Sequence, residues 1–340
     1  MGREGAGTYH SRRWTPPTYT VDDAGKIVGG YVPTGPNNWG RWGAEDKRGT
    51  ANLIDAAAIA YAASLVTRGV VFSLALPIDE AGPRWPGRPA PKHYFTMNGA
   101  DGISGLPYSG AVPGVTYTDD YIDMPLQGSS QWDGLAHWAY QDSLYNGYWA
   151  GNITGSTGSP DLDIAAMKAS FVGRGVLIDV ARHLGVEHLE PGMAIPAALV
   201  EEIAARQNVT FRPGDILLLR TGYLKPWYSL PDENAQRAFF SRVPGLSRDI
   251  IPWLKEHDIA AVAADTVSVE VMPNEEPIDR PQPLHHAALV DLGLTLGEFW
   301  ALDDLAEDCA ADGVYDFLLS APPLNIPGAV GSMINPVAIK

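Results

Sequence analysis

Four side chains able to give a lone pair to a cation crowd into one short stretch of this sequence. The segment Gln127-Gly-Ser-Ser-Gln-Trp-Asp-Gly-Leu-Ala-His137 carries Gln127, Gln131, Asp133 and His137. Amide oxygens, carboxylate oxygens and imidazole nitrogens are the common protein donors to divalent ions. Gln127, Gln131 and Asp133 are separated by even steps, so on an extended segment they point to one side. A carboxylate flanked by Trp and Gly in a non-helical stretch either caps a turn or binds a cation. The plainer reading is a polar loop with a chance histidine. Trp132 and Trp138 argue against a simple solvent loop.

Other chemistries lack their residues. There is no Gly-x4-Gly-Lys-Ser/Thr loop, no His-Glu-x-x-His and no Gly-x-Ser-x-Gly elbow. Gly173-Arg-Gly175 lacks a third glycine and precedes a strand, which argues against a dinucleotide fold. His183 and His188 are five apart, a poor helical metal spacing, and read as surface residues. The lone cysteine, Cys309, can form neither an internal disulfide nor a thiolate zinc site.

The elements that must position the 127–137 segment are mixed. Asp55 to Arg68 has helical spacing and Val70 to Leu76 reads as a strand, followed by a Pro/Gly-rich loop from Pro77 to Pro91. Tyr117 to Met124 alternates weakly, as a strand would. Val176 to Val180, Ile216 to Arg220 and Ala260 to Ala264 are short apolar runs, hence buried strands. Pro196 to Gln207, Leu246 to His257 and Leu302 to Ala311 read as helices, and Pro283 to Leu292 is a helical candidate. The last thirty residues mix Pro, Gly and short apolar pieces. Residues 1–36 show no periodicity and read as an extended arm, wrapped on the body or on a partner subunit. Residues 37–340 read as one α/β domain.

Composition bounds the partners. The chain has 340 residues, 45% of them apolar, enough for a sizeable core. With 24 Lys and Arg against 40 Asp and Glu, its formal charge is −16, which repels nucleic-acid backbones and anionic membranes. No run approaches the roughly 18 apolar residues of a membrane span, and no apolar targeting stretch follows the polar start of the chain. A soluble, cytoplasmic protein acting on a small molecule is the expectation.

The 127–137 segment resembles the signature of the cyclase superfamily of metal-dependent hydrolases, which includes kynurenine formamidase and isatin hydrolase. That signature usually runs His-x-Gly-Thr-His-x-Asp-x-Pro-x-His. Gln127 and Gln131 stand at its first two histidines, Ser129-Ser130 at Gly-Thr and Leu135 at Pro. Asp133 and His137 match strictly. The Gln-Trp-Asp-Gly-Leu-x-His form is associated with a large branch of the superfamily. Further segments follow in the family's order. They are Arg84-Trp85-Pro86-Gly87, Gly173 to Asp179, Arg212-Pro-Gly-Asp215 with Ile216 to Gly222, Ala263 to Ser268, His285-His286 with Glu298, Pro322-Pro-Leu, and the closing Gly-Ser-Met-Ile-Asn-Pro336.

The resemblance covers about Trp39 to Lys340. It implies a swivelling β/β/α domain with a mixed sheet and flanking helices, assembled as a homodimer or homotetramer. It implies a divalent metal held by Asp133, Glu298 and one of His285 and His286, since adjacent residues point apart, with His285 the preferred ligand. Gln127 and Gln131 would bind the metal, hold its water or bind substrate. His137 would be the general acid/base. Trp85, Trp132 and His93 would wall the substrate pocket. The implied reaction is hydrolysis of a C–N or C–O bond in a small aryl formamide, cyclic amide or lactone. With two amides in place of imidazoles, Mn²⁺ is expected over Zn²⁺. Rival readings are a metal-assisted isomerase or dehydratase on the same fold, a binding protein with a degenerate metal site, and a serine hydrolase without a recognisable elbow.

Overall fold

Short apolar runs bounded by turn residues become the inner strands of a large sheet. The computed structural model describes residues 16–104, 115–275 and 282–340. Among them, nine strands form one mixed sheet. In chain order these are β1 (Val71–Ser73), β2 (Gln131–Asp133), β3 (Val172–Asp179), β4 (Ile216–Arg220), β5 (Ala261–Ala264), β6 (Thr295–Glu298), β7 (Asp316–Ser320), β8 (Gly331–Met333) and β9 (Val337–Ile339). The spatial order is β8-β2-β6-β5-β4-β3-β7-β9-β1. Strands β3, β4, β5 and β6 are parallel neighbours. Antiparallel pairs flank them on both sides.

Burial explains the pattern. Ile216 to Leu219 and Ala261 to Ala264 are fully buried, as strands covered on both faces must be. That is why these segments read as continuous apolar runs with no alternation. Helix α1 (Ala56–Ser64) starts at Asp55, whose side chain accepts from Ala58 N–H at 2.8 Å. It packs on β3 and β7. Helix α2 (Ala197–Arg206) packs on β3, while α3 (Ile250–Glu256) packs beside the 286–292 segment. Helix α4 (Asp303–Asp312) is stopped by Gly313.

Two expectations shift and a third holds. The helical candidate at 283–292 is one α-turn, Pro283–His285, followed by a π-helix, His286–Leu292. Such wide turns are rare and recur at functional sites. The last thirty residues, read only as a mixture of Pro, Gly and short apolar pieces, supply three strands, β7, β8 and β9. The weakly alternating strand near 117–124 is Asp119–Asp123, which pairs with Lys92–Met97 in an exposed hairpin.

The described part of the N-terminal segment lies on the chain's own body. It forms a small hairpin between Thr20–Val21 and Ile27–Val28. Tyr19 donates to Asp142 at 2.8 Å, and Tyr31 donates to Asp291 at 2.8 Å. Among the described residues, no helix is long and apolar enough to cross a membrane.

Candidate metal centre

The pleat of β2 sorts the 127–137 segment. Gln131 and Asp133 share one face, as their even spacing requires, and Trp132 takes the other. Trp132 is fully buried, donates to the Ala321 carbonyl at 2.7 Å and packs on Phe171 and Trp300. It is a core residue and not the pocket wall expected of it. The register places Glu298 of β6 directly opposite Gln131 and Gly297 opposite Trp132. Glycine is required there. A Cβ on Gly297 would lie 2.7 Å from the Ala263 Cβ and the Trp132 ring, and 2.8 Å from the Trp300 indole nitrogen.

Asp133, Glu298 and His285 converge. Their donor atoms lie within 4.8 Å of one another, and all three residues are buried. His285 Nε2 is 3.4 Å from Glu298 Oε1 and 3.9 Å from Asp133 Oδ2. Gln131 Nε2 donates to Glu298 Oε2 at 2.8 Å and to Asp133 Oδ1 at 3.2 Å. Among the described residues, the buried Gln131 amide oxygen has no hydrogen-bond partner.

Three expected residues lie elsewhere. His286, one position along, turns away. Its Nε2 sits 2.9 Å from the Tyr31 hydroxyl and 3.5 Å from Asp291, and its ring stacks on Tyr140. Neighbours on a helical turn point about 100° apart, which separates the two imidazoles. His93 lies on the exposed hairpin, 2.6 Å from Asp120, and outside the cleft. Gln127 makes no side-chain contact with the cluster. Its carbonyl accepts from Arg88, and its amide nitrogen, buried against Gly331, has no hydrogen-bond partner among the described residues.

Glu270 completes the site, and sequence reasoning passes over it. Its Oε1 accepts from His285 Nδ1 at 2.5 Å and from the His285 backbone N–H at 3.2 Å; its Oε2 accepts from Leu284 N–H at 3.1 Å. One carboxylate thus caps the 283–285 turn and fixes the imidazole, so that Nε2 faces Asp133 and Glu298. The backbone is unusual beside both glutamates. Val269 has φ 58° and Phe299 has φ 60°. Left-handed conformations at such side chains cost on the order of 1–3 kcal/mol and cluster at functional sites.

Electrostatics follow from burial. Burial and the neighbouring Asp133 charge push the Glu298 carboxyl up to about 7. Burial opposes charge on His285, but the carboxylates of Glu270 and Glu298 outweigh it and push the imidazole up to about 10. Without a cation, the site therefore binds protons in its place. Two buried carboxylates, one oriented imidazole and an orphaned amide oxygen fit a divalent ion.

The cluster opens onto a cleft of about 160 Å³. Trp85, Arg88, His137, Trp138 and Val267 line it beside Asp133, His285 and Glu298. His137 is 23% exposed, with Nε2 3.7 Å from Asp133 Oδ1. Trp85 is where the sequence placed it. Trp138 lies over His285, with ring centroids 5.5 Å apart.

A mixed α/β sheet whose antiparallel edge holds a buried Asp–His–Glu cluster defines a candidate metal-site protein. The family described as "Putative cyclase" matches residues 72–271, and the chain belongs to this cyclase family. A crystal structure of a novel cyclase is 45% identical to it, with a TM-score of 0.83 over 90% of this chain and 100% of that one. Isatin hydrolase A from Labrenzia aggregata, bound to benzyl benzoate, is 16% identical. Its TM-score is 0.55, over 82% of this chain and 94% of that one. An isatin hydrolase bound to the product analogue thioisatinate is also 16% identical, with a TM-score of 0.55 over 81% and 93%. At that identity the likeness is one of fold. No curated protein matches the sequence. The mixed sheet with flanking helices implied by the sequence resemblance is the fold observed.

Proposed function

We propose that the protein is a metal-dependent hydrolase that opens a C–N or C–O bond beside a carbonyl in a small aryl formamide, cyclic amide or lactone. The observation that carries this reading is the buried convergence of Asp133, His285 and Glu298 in the wall of an aromatic cleft. These three residues would hold the cation. Gln131 joins them only if its amide turns its oxygen inward, because its nitrogen faces the carboxylates. A divalent ion there supplies Lewis acidity toward a carbonyl and toward water.

The chain's own residues do the rest. Glu270 holds the His285 Nδ1 proton, which keeps the Nε2 lone pair toward the cluster when the ring is neutral. His137 stands at the more exposed side, close to Asp133 but without a hydrogen bond to it. From there its imidazole takes a proton from water and passes it to the leaving nitrogen or oxygen. Trp85 and Trp138 offer faces to a flat substrate and limit water in the cleft.

The test combines metal content with turnover of a panel of aryl formamides, cyclic amides and lactones. Asp133→Ala is expected to lose both metal and activity while still unfolding cooperatively. His137→Ala is expected to keep its metal and lose about 10²–10⁴ in rate. Full metal content in Asp133→Ala, or a product whose mass has gained no water, removes this reading.

A further inference from the structure

Arg88 lies outside the set of groups that the metal reading uses. It follows Trp85-Pro86-Gly87 in a turn closed by Arg88 N–H donating to the Trp85 carbonyl at 3.1 Å. Gly87 takes φ 97°, a conformation that glycine adopts without steric cost. The turn brings Trp85 and Arg88 together into the wall of the cleft that holds Asp133, His285 and Glu298.

Arg88 is anchored without a direct ion pair. Its Nη1 donates to the Gln127 carbonyl at 2.6 Å. Among the described residues, no carboxylate lies within ion-pair distance of it. Its charge acts on Glu298 across the cleft, drawing that carboxyl down against the effect of burial, but without a direct ion pair. Its other N–H donors stay available, in the planar fork that matches a carboxylate.

Charge balance gives this arginine a purpose. Asp133, Glu298 and Glu270 place three carboxylates around the candidate site. A divalent ion offsets two of those charges, and the remaining one would repel an anionic substrate. Arg88 brings the balance to zero. Size adds a second constraint. A cleft of about 160 Å³ is close to the roughly 150 Å³ cavity that encloses one benzene, so one six-membered ring fits within it.

We propose that Arg88 determines specificity, pairing with a carboxylate carried by a single-ring substrate while the scissile carbonyl faces Asp133, His285 and Glu298. This deepens the hydrolase reading and rests on it. Among the formamides, cyclic amides and lactones of that reading, those that carry a carboxylate are favoured, because neutral analogues of the same shape leave the guanidinium unpaired. The fork geometry also makes lysine an incomplete replacement.

The experiment titrates benzoate and benzamide calorimetrically into Mn²⁺-loaded protein, with metal content and melting temperature measured on the same samples. Benzoate is expected to bind the wild type. Arg88→Gln is expected to weaken benzoate by roughly ten- to a hundredfold while retaining its metal. Arg88→Lys is expected to fall between them, and benzamide to bind weakly and equally to all three. Equal benzoate affinity in wild type and Arg88→Gln overturns the proposal, because another group then grips the carboxylate. Absence of benzoate binding in metal-loaded wild type overturns it as well. Wild-type protein that takes up no metal defeats the underlying hydrolase reading, and the metal assay shows that separately.

Discussion

Gln131 and Glu298 face each other across the antiparallel β2–β6 pair, and the Gln131 amide nitrogen donates to Glu298 at 2.8 Å. The same nitrogen reaches Asp133 at 3.2 Å. One neutral amide therefore ties together two buried carboxylates, while its own oxygen has no hydrogen-bond partner among the described residues. If the amide rotated, that oxygen would meet two carboxylates, a repulsive arrangement that a cation between them would relieve. The amide and the protons on Glu298 and His285 thus act together as a metal-free closure of the site.

That closure makes stability depend on pH in a stated direction. Glu298 is raised to about 7 and His285 to about 10, each above its ordinary value. The folded protein then binds more protons than the unfolded chain, so stability falls as pH rises. For Glu298, the contribution is complete below about pH 4.5 and is lost as pH rises through about 7. For His285, it is complete below about 6.5 and is lost through about 10. Metal must displace these protons, so its stabilising effect grows as pH rises. Melting temperatures at pH 5, 7 and 9, in chelator and in Mn²⁺, are expected to diverge with increasing pH. A constant metal-induced shift across that range contradicts this account.

Glu270→Gln tests the support behind His285. The amide loses the charge that holds the Nδ1 proton, and one of its atoms must face a donor. Metal affinity is expected to fall about 10–100-fold, the usual effect of removing a group that orients a ligating imidazole. Calorimetric Mn²⁺ titration measures it. Glu270→Asp, which restores charge but not reach, is expected to recover part of the loss. Unchanged affinity in Glu270→Gln would leave the residue only its capping role at the 283–285 turn.

How much of this site the sequence carried depends on where the information lies. The even spacing of Gln131 and Asp133 correctly predicts their shared face on β2. The same alternation turns Trp132 inward, a consequence that its proximity to the motif obscured. That His285 and His286 would point apart follows from their adjacency, and they do, but which of them faces the cluster is decided by the fold. Glu270 left no local signal, because its partner lies fifteen positions away and meets it only through the fold. Arg88 sat one residue beyond a turn already singled out, but its exposure to the cleft is a tertiary fact. The inner strands β4 and β5 were legible as apolar runs, whereas β6, four residues with a central glycine, was not.

Gly297→Ala probes the packing that positions Glu298. The new methyl would press on Ala263, Trp132 and Trp300, all held in the core. Overpacking of this kind typically costs about 1–3 kcal/mol. Denaturant unfolding is expected to show that loss, together with weaker metal uptake as β6 shifts relative to β2. Wild-type stability would mean that the indoles can move aside.

The last prediction concerns which ion the site prefers. The three converging side chains offer carboxylate oxygens from Asp133 and Glu298 and one imidazole nitrogen from His285. Gln131 adds at most an amide oxygen. Oxygen donors suit manganese and magnesium, whereas imidazole nitrogen suits zinc. Raw affinity still favours zinc in the general order of divalent ions, so the prediction is about relative preference and activation. Relative to sites in which imidazoles replace the amides, this one is expected to bind zinc less tightly and to be activated more by manganese. Gln131→His supplies the internal comparison. It removes the amide that ties the carboxylates together and adds a nitrogen donor, so the ratio of zinc to manganese affinity is expected to rise. The measurement is metal content and turnover of chelator-stripped protein after addition of each ion. Stoichiometric zinc with full activity and no activation by manganese would refute the prediction. It would place Gln131 outside the coordination sphere, still donating to the carboxylates, and leave His285 and a reoriented His137 as the nitrogen donors.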